Sequence, residues 1–162
     1  MYSQTATQLV RAPREAVYAA LLDPRAAETW RVPDDMTARV AEWEPVEGGR
    51  FRVSLTYRAE DRTGKTEGAT DTYAGEFARL VPHEQVVEQL AFETDDPHLA
   101  GAMTMTWTLR DVEGGTEVEV LHEGLPDAVP PEDNETGTRM SLTKLAAYVE
   151  GASGVAGGAL PD

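Results

Sequence analysis

Apolar and polar residues alternate along most of the middle of the chain, a pattern typical of strands with one buried face. In the clearest case, residues 103–110, two Met, a Trp and a Leu alternate with three Thr and an Arg. Residues 51–58 and 117–120 alternate in the same way, and the apolar runs Thr70–Val81 and Gln85–Thr94 are separated only by a Pro-His-Glu turn. With further strands near Tyr2–Val10 and Thr37–Trp43, the pattern predicts about seven antiparallel strands, because links this short leave no room for parallel crossovers.

Helical spacing occurs only near the two ends of this pattern. A first helix begins at Pro13 and ends at Asp23-Pro24, and a second short helix covers Arg25–Arg31. The last helix is predicted over residues 134–150, where the following Gly can cap it. Residues 151–162, rich in Gly and Ala, are predicted to form a flexible tail after a single domain over residues 1–150.

The order strand, two short helices, about six strands and one long helix predicts an α+β domain. A helix of the predicted length is about 25 Å long and about 10 Å wide, which is too narrow to cover the concave face of a curved sheet of seven strands. The space that remains is either packed with large side chains or left as a cavity. This geometry is the physical case for a ligand site.

Several short phrases occur along the chain in a characteristic order. They are Ala-Pro-Arg-Glu-Ala-Val-Tyr at 12–18, Trp30, Glu-Gly-Gly-Arg-Phe at 47–51, Tyr-Ala-Gly-Glu-Phe at 73–77, Leu-Val-Pro at 80–82, Gly-Gly-Thr at 114–116, His-Glu-Gly-Leu-Pro at 122–126 and Ser-Leu-Thr-Lys-Leu at 141–145. Together they resemble the SRPBCC superfamily, whose domains have the START-like helix-grip fold. Within it, the chain is similar to the branch related to the C-terminal domain of the activator of the ninety-kilodalton heat-shock-protein ATPase, in its single-domain bacterial form.

The resemblance implies that the long C-terminal helix lies across the concave face of the sheet, above an apolar tunnel. This tunnel would open at the loops around residues 30–36 and 122–134. The inward-facing positions of the strands and the apolar stripe along the last helix then predict the ligand-binding residues, although ordinary core packing would explain the same pattern. They are Trp30, Met36, Trp43, Phe51, Leu55, Tyr73, Phe77, Leu90, Phe92, Met103, Met105, Trp107, His122, Thr138, Leu142 and Leu145.

Position 138 departs from the pattern of this branch, which usually has Trp where this chain has Thr138. A Trp side chain can bury about 150–250 Å². Without the indole, either larger neighbours such as Met105 and Trp107 fill the space, or the cavity is larger in this protein.

Two polar residues are predicted to point inward. His122 continues the inward parity of its strand and could transfer protons, or could simply satisfy the turn that follows. Glu88 is also inward by parity, with Arg79, Tyr73 or His122 as its polar partner, unless a bulge turns it toward water. His122, Glu88 and Tyr73 are therefore the candidate catalytic residues.

Composition excludes several other classes of protein. The 162 residues include 14 Lys+Arg and 29 Asp+Glu, for a net charge of −15, which would repel a nucleic-acid backbone. The absence of Cys excludes thiolate chemistry, and the spacing of His and carboxylate residues predicts no metal site and no cofactor. No apolar run approaches the roughly 18 residues of a membrane span. We therefore expect a cytoplasmic protein.

The acidic residues are concentrated between Leu80 and Thr138, where fourteen of them accompany a single basic residue, Arg110. Such a stretch is either a solvated face or a docking surface for a basic partner.

Three functions follow from these observations. The leading expectation is binding of a small hydrophobic, lipid- or polyketide-like molecule in the cavity. The first alternative is an enzyme similar to aromatases and cyclases, using His122, Glu88 and Tyr73. The second is a chaperone-partner module, which we do not expect, because the larger co-chaperone also needs an N-terminal domain for which 162 residues leave no room. A homodimer is compatible with each of these functions.

Overall fold

The structure, a computed structural model, describes residues 1–58 and 70–157. Its helices and strands follow one another in the order that the sequence pattern predicts, with helices only between the first two strands and at the end. They are β1 (Tyr2–Val10), α1 (Arg14–Leu22), α2 (Pro24–Trp30), β2 (Met36–Trp43), β3 (Arg50–Tyr57), β4 (Thr70–Val81), β5 (Gln85–Phe92), β6 (Met103–Val112), β7 (Gly115–Leu125) and α3 (Pro131–Gly157).

The seven strands form one curved antiparallel sheet in the order β1-β7-β6-β5-β4-β3-β2. Strands β2 to β7 form a meander, and β1 pairs with β7 at the far end. Helices α1 and α2 connect the two edge strands, β1 and β2. The predicted α+β helix-grip architecture is confirmed.

The short helices begin and end at identifiable side chains. The Asp23 carboxylate caps α2 by accepting a hydrogen bond from the backbone N–H of Arg25 at 2.9 Å, and Pro24 occupies the first turn. The last carbonyls of α1 accept hydrogen bonds from two indoles: Trp30 donates to Ala20 at 3.1 Å and Trp43 donates to Leu22 at 2.7 Å. Carbonyls at a helix end lack partners within the helix, so these indoles satisfy them; the Trp30 bond joins α2 to α1, and the Trp43 bond joins α1 to β2.

Helix α3 is longer than the sequence predicted at both ends. It begins at Pro131, where proline favours the first turn, and Glu132 and Asp133 complement its positive end. It continues through Gly151 to Gly157 instead of ending near residue 150. The prediction of a cap at Gly151 was wrong because one glycine costs a helix only about 1 kcal/mol. The rest of the predicted tail, residues 158–162, lies outside the described residues.

The core lies between the concave face of the sheet and the three helices. Its largest fully buried side chains include Trp30, Trp107, Phe51 and Phe77. The close backbone contacts of α3 are chiefly with β1, α1 and α2. The helix therefore stands away from the middle of the sheet, and this separation determines where a cavity can exist.

Candidate functional site

A cavity of about 600 Å³ lies between the sheet and the first half of α3. Its wall is predominantly apolar and takes side chains from α2, β2 to β7 and α3. Eleven of the predicted ligand-binding residues line it: Trp30, Met36, Leu55, Tyr73, Leu90, Phe92, Met103, Met105, Trp107, His122 and Thr138.

Five predicted residues lie outside the cavity wall, in the packed core: Trp43, Phe51, Phe77, Leu142 and Leu145. The three aromatic residues form their own cluster, in which the Phe77 ring centroid is 5.2 Å from that of Trp43 and 5.0 Å from that of Phe51. Leu142 and Leu145 lie farther along α3, which packs against α1 and α2. The residue pattern identifies inward-facing positions, but it does not distinguish those that line the cavity from those that pack in the core.

The cavity also has a polar part that the sequence interpretation missed. Four aspartates contribute to the wall: Asp34, Asp35, Asp71 and Asp133. Asp34, Asp35 and Asp133 are exposed, whereas Asp71 is buried, so the first three mark the side of the cavity nearest solvent. The Pro-Asp-Asp sequence after α2 could have suggested this polar rim.

Glu88 and Arg31 form a buried ion pair beside the cavity. Arg31 Nη1 donates to Glu88 Oε2 at 2.8 Å, and Arg31 Nη2 donates to Glu88 Oε1 in a second, parallel bond. The indole Nε1 of Trp107 also donates to Glu88 Oε1 at 3.3 Å. Both carboxylate oxygens are therefore engaged, and the side chain is 1% exposed.

Four aromatic rings surround the Arg31 guanidinium. Its Cζ lies between 5.6 and 5.9 Å from the ring centroids of Trp30, Phe51, Tyr73 and Trp107. Burial alone lowers the pKa of Arg31, but the charge and hydrogen bonds of Glu88, with a further contribution from Tyr73, raise it above its ordinary value. The guanidinium therefore remains charged, held by an anion and by ring faces that attract cations.

His122 lies on β7 in the wall that the main cavity shares with a smaller one of about 140 Å³. The residue is 8% exposed, and neither ring nitrogen has a hydrogen-bond partner. Burial lowers the pKa of His122 to about 4; the charge of Glu88 opposes this shift, whereas that of Arg31 adds to it. The imidazole is accordingly neutral at pH 7.

The inward parity predicted for Glu88 is confirmed, and its exposure through a bulge is not. A register shift does occur nearby, but on β4 between Phe77 and Arg79, so the alternation of β5 is preserved. Arg79 is exposed and is not the partner of Glu88; Arg31 is. Sequence parity could not identify Arg31, because it follows α2 and lies 57 residues from Glu88.

The predicted catalytic residues do not form a direct proton relay: Glu88 and Tyr73 lie beside Arg31, and the His122 ring has no hydrogen-bond partner. The Tyr73 ring centroid lies 5.8 Å from Arg31 Cζ, and burial raises the pKa of this phenol, against the effect of Arg31. The Glu88 carboxylate accepts hydrogen bonds from Arg31 and Trp107, and the ring nitrogens of His122 are hydrogen-bonded to neither Glu88 nor Tyr73.

One lysine ties α3 to the rim of the cavity. Lys144 Nζ donates to the carbonyl oxygen of Val32 at 2.7 Å and lies 3.4 Å from a carboxylate oxygen of Asp34. The connection between α2 and β2 is thereby held against the helix.

Within residues 1–58 and 70–157, no group of three or more His, Cys, Asp or Glu side chains is placed to hold a metal ion. None of the helices over the same ranges is long and apolar enough to cross a membrane.

A curved seven-stranded sheet, a long C-terminal helix and a cavity between them define a helix-grip domain with the architecture of a ligand-binding module. The family model described as "Activator of Hsp90 ATPase homolog 1-like protein" matches residues 11–150, and the chain belongs to this family. No curated protein matches the sequence.

Solved structures with the same fold come from several bacteria. A crystal structure of a Chromobacterium violaceum protein is 33% identical, with a TM-score of 0.81 over 91% of this chain and 96% of that one. A Rhodobacter sphaeroides protein is 22% identical, with a TM-score of 0.76 over 93% of each chain. An AHSA1-like protein from Aeromonas hydrophila, solved by NMR, is 19% identical, with a TM-score of 0.70 over 94% of each chain. The last two show the fold alone.

Proposed function

We propose that the protein binds a small hydrophobic molecule in the cavity between the sheet and α3. The observation that carries this proposal is the cavity itself, whose volume of about 600 Å³ lies within the range of pockets that hold drug-sized ligands. Its predominantly apolar wall would take apolar surface out of water, which is the main favourable contribution to binding such a ligand.

The side chains of the wall favour a flat or flexible ligand of the lipid or polyketide type. Trp30 and Trp107 contact each other edge to face, with their ring centroids 5.5 Å apart, and so form a rigid aromatic part of the wall. Met36, Met103 and Met105 supply flexible, polarizable surface that adapts to ligand shape.

Binding is a better account of this geometry than catalysis. A general acid or base must reach the substrate, but both oxygens of Glu88 are committed to Arg31 and Trp107. A cyclase-like reaction through His122, Glu88 and Tyr73 would first require this buried ion pair to open.

Fluorescence of N-phenylnaphthylamine, a neutral dye that brightens in apolar cavities, tests the proposal. Thr138 lines the cavity, so Thr138→Trp should fill part of it and weaken dye binding at least tenfold. Thr143→Trp introduces the same ring on the exposed side of α3 and should leave binding unchanged.

Equal dye binding by the two variants would contradict the proposal. So would the absence of any thermal stabilisation by a panel of lipids, flavonoids and polyketides.

A further inference from the structure

Charge is distributed unevenly among the residues of the cavity wall. Of the residues that the structure describes there, four are aspartates and one, Arg31, is a permanent cation. The guanidinium is already matched by Glu88 through two parallel hydrogen bonds. An anionic ligand would therefore meet carboxylates at the rim and no uncommitted cation among these residues.

A second observation points to a specific polar group on the ligand. Both ring nitrogens of His122 are buried without a partner, and an unsatisfied buried polar group destabilises the folded state. Such groups are rare in native proteins and call for an explanation. A bound molecule that supplies the missing hydrogen bond would explain the unpartnered nitrogens of His122.

The position of the imidazole allows a hydrogen bond to a molecule bound in the cavity. His122 and Thr138 each line both the main cavity and the cavity of about 140 Å³. The ring nitrogens are covered as the side chain stands. The Cβ–Cγ torsion of histidine is broad, so rotation about this bond would turn one nitrogen toward a ligand in the cavity that the side chain lines.

We propose that the cavity selects uncharged apolar molecules that carry a hydroxyl group, with His122 as the hydrogen-bonding residue, and discriminates against their carboxylate analogues. A neutral imidazole offers one N–H donor and one acceptor nitrogen, and a hydroxyl can pair with either. This inference rests on the proposed function and adds the chemical class of the ligand.

Three biphenyls with different para substituents test the selectivity: phenylphenol, methylbiphenyl and biphenylcarboxylate. Each competes with N-phenylnaphthylamine at pH 7. Hydroxyl and methyl groups are similar in size, so their comparison isolates the hydrogen bond. Phenylphenol should bind about 2- to 10-fold more tightly than methylbiphenyl. The carboxylate should bind at least tenfold more weakly than phenylphenol.

Variants of His122 separate the two parts of the proposal. His122→Leu should abolish the preference for hydroxyl over methyl, while the discrimination against carboxylate remains. His122→Gln retains a donor and an acceptor and should keep part of the preference. His98→Leu removes an exposed loop histidine and should change neither.

Glu88→Gln tests the charge argument directly. Without the carboxylate of Glu88, the Arg31 guanidinium in the cavity wall lacks its anion. Biphenylcarboxylate should then bind at least tenfold more tightly than to the wild-type protein and raise the melting temperature of the variant. If this variant does not fold, the wild-type and His122 comparisons still decide the proposal.

Two results would overturn it. In one, biphenylcarboxylate competes as well as phenylphenol with the wild-type protein. In the other, the preference for hydroxyl over methyl survives in His122→Leu. If the dye and methylbiphenyl bind while either result is obtained, the ligand class is wrong and the proposed binding function stands. If neither dye nor biphenyls bind, both fail.

Discussion

Removing one partner of the buried ion pair should destabilise the protein strongly. Glu88→Gln leaves the Arg31 guanidinium, which is 7% exposed, without its anion. Breaking a buried pair in this way costs about 3–5 kcal/mol, because the remaining charge is no longer compensated. Arg31→Met should cost a similar amount, since Glu88 then keeps only the bond from Trp107.

The double variant Arg31→Met/Glu88→Gln distinguishes the pair from its separate side chains. With both charges removed, no buried charge is left uncompensated, and the amide oxygen can still accept the bond from Trp107. We expect the double variant to be less destabilised than the sum of the two single variants by at least about 2 kcal/mol.

Arg52 and Glu93 provide a matched control at the surface. Arg52 Nε and Nη2 donate to the two oxygens of Glu93 at 2.9 and 2.8 Å, and the side chains are 42% and 39% exposed. Glu93→Gln should therefore cost no more than about 1 kcal/mol, because water solvates both charges when the pair is broken.

Urea unfolding at pH 7, followed by Trp fluorescence and far-UV circular dichroism, measures all four variants. For a chain of this size, the single buried variants should also melt about 6–20 °C below the wild-type protein. Additive losses in the double variant, or a loss from Glu88→Gln no larger than that from Glu93→Gln, would refute the reasoning.

Three further predictions follow from individual side chains. His122 has a pKa of about 4 in the folded protein against an ordinary value of 6.5, so stability present above pH 6.5 should be lost progressively down to about pH 4, by about 3 kcal/mol. The urea midpoint at several pH values measures this, and an unchanged slope in His122→Leu would contradict it. Gly75→Ala should unfold the protein or nearly so, because the new Cβ would lie 1.9 Å from the carbonyl oxygen of Gln89. Gly137→Ala in α3 meets no atom within 4 Å and should stabilise the protein by up to about 1 kcal/mol. Thermal melts in which both variants shift the melting temperature in the same direction would show the reasoning to be wrong. Lys144→Met should cost about 1 kcal/mol and accelerate amide hydrogen exchange in the connection between α2 and β2, because a hydrogen bond to that connection is lost; unchanged exchange there would argue against the tether.

The local residue pattern predicted the strands because the alternation of apolar and polar residues within each strand shows which of its faces is buried. The bounds predicted for β4 match the structure, and β5 ends at Phe92, two residues earlier than predicted. Parity also placed Glu88 and His122 inside, although a bulge in the neighbouring strand could have misled it. Because alternation follows burial directly, the predicted inward or outward direction of a side chain is correct wherever the strand keeps its register.

The candidate site was harder to predict because its parts come from distant positions. Arg31 was not identified as the partner of Glu88, since no local pattern links residues that are 57 apart. Phe51 and Phe77 share the buried face with Tyr73, but only Tyr73 lines the cavity. That distinction depends on where the helices cover the sheet.

By its residue pattern alone, the chain determined a curved sheet with a helix at its end and an apolar inner face. Strand parity pointed Glu88 and His122 inward, but left open a bulge that would turn Glu88 toward water. The tertiary structure decided which of these inward residues pack solidly and which face open space. Helix α3 packs on β1, α1 and α2, so Leu142, Leu145 and Val149 complete the core, whereas the part of the helix before them stands above a cavity. The tilt of a helix over a sheet results from many distant contacts acting together, and no local stretch of sequence contains it.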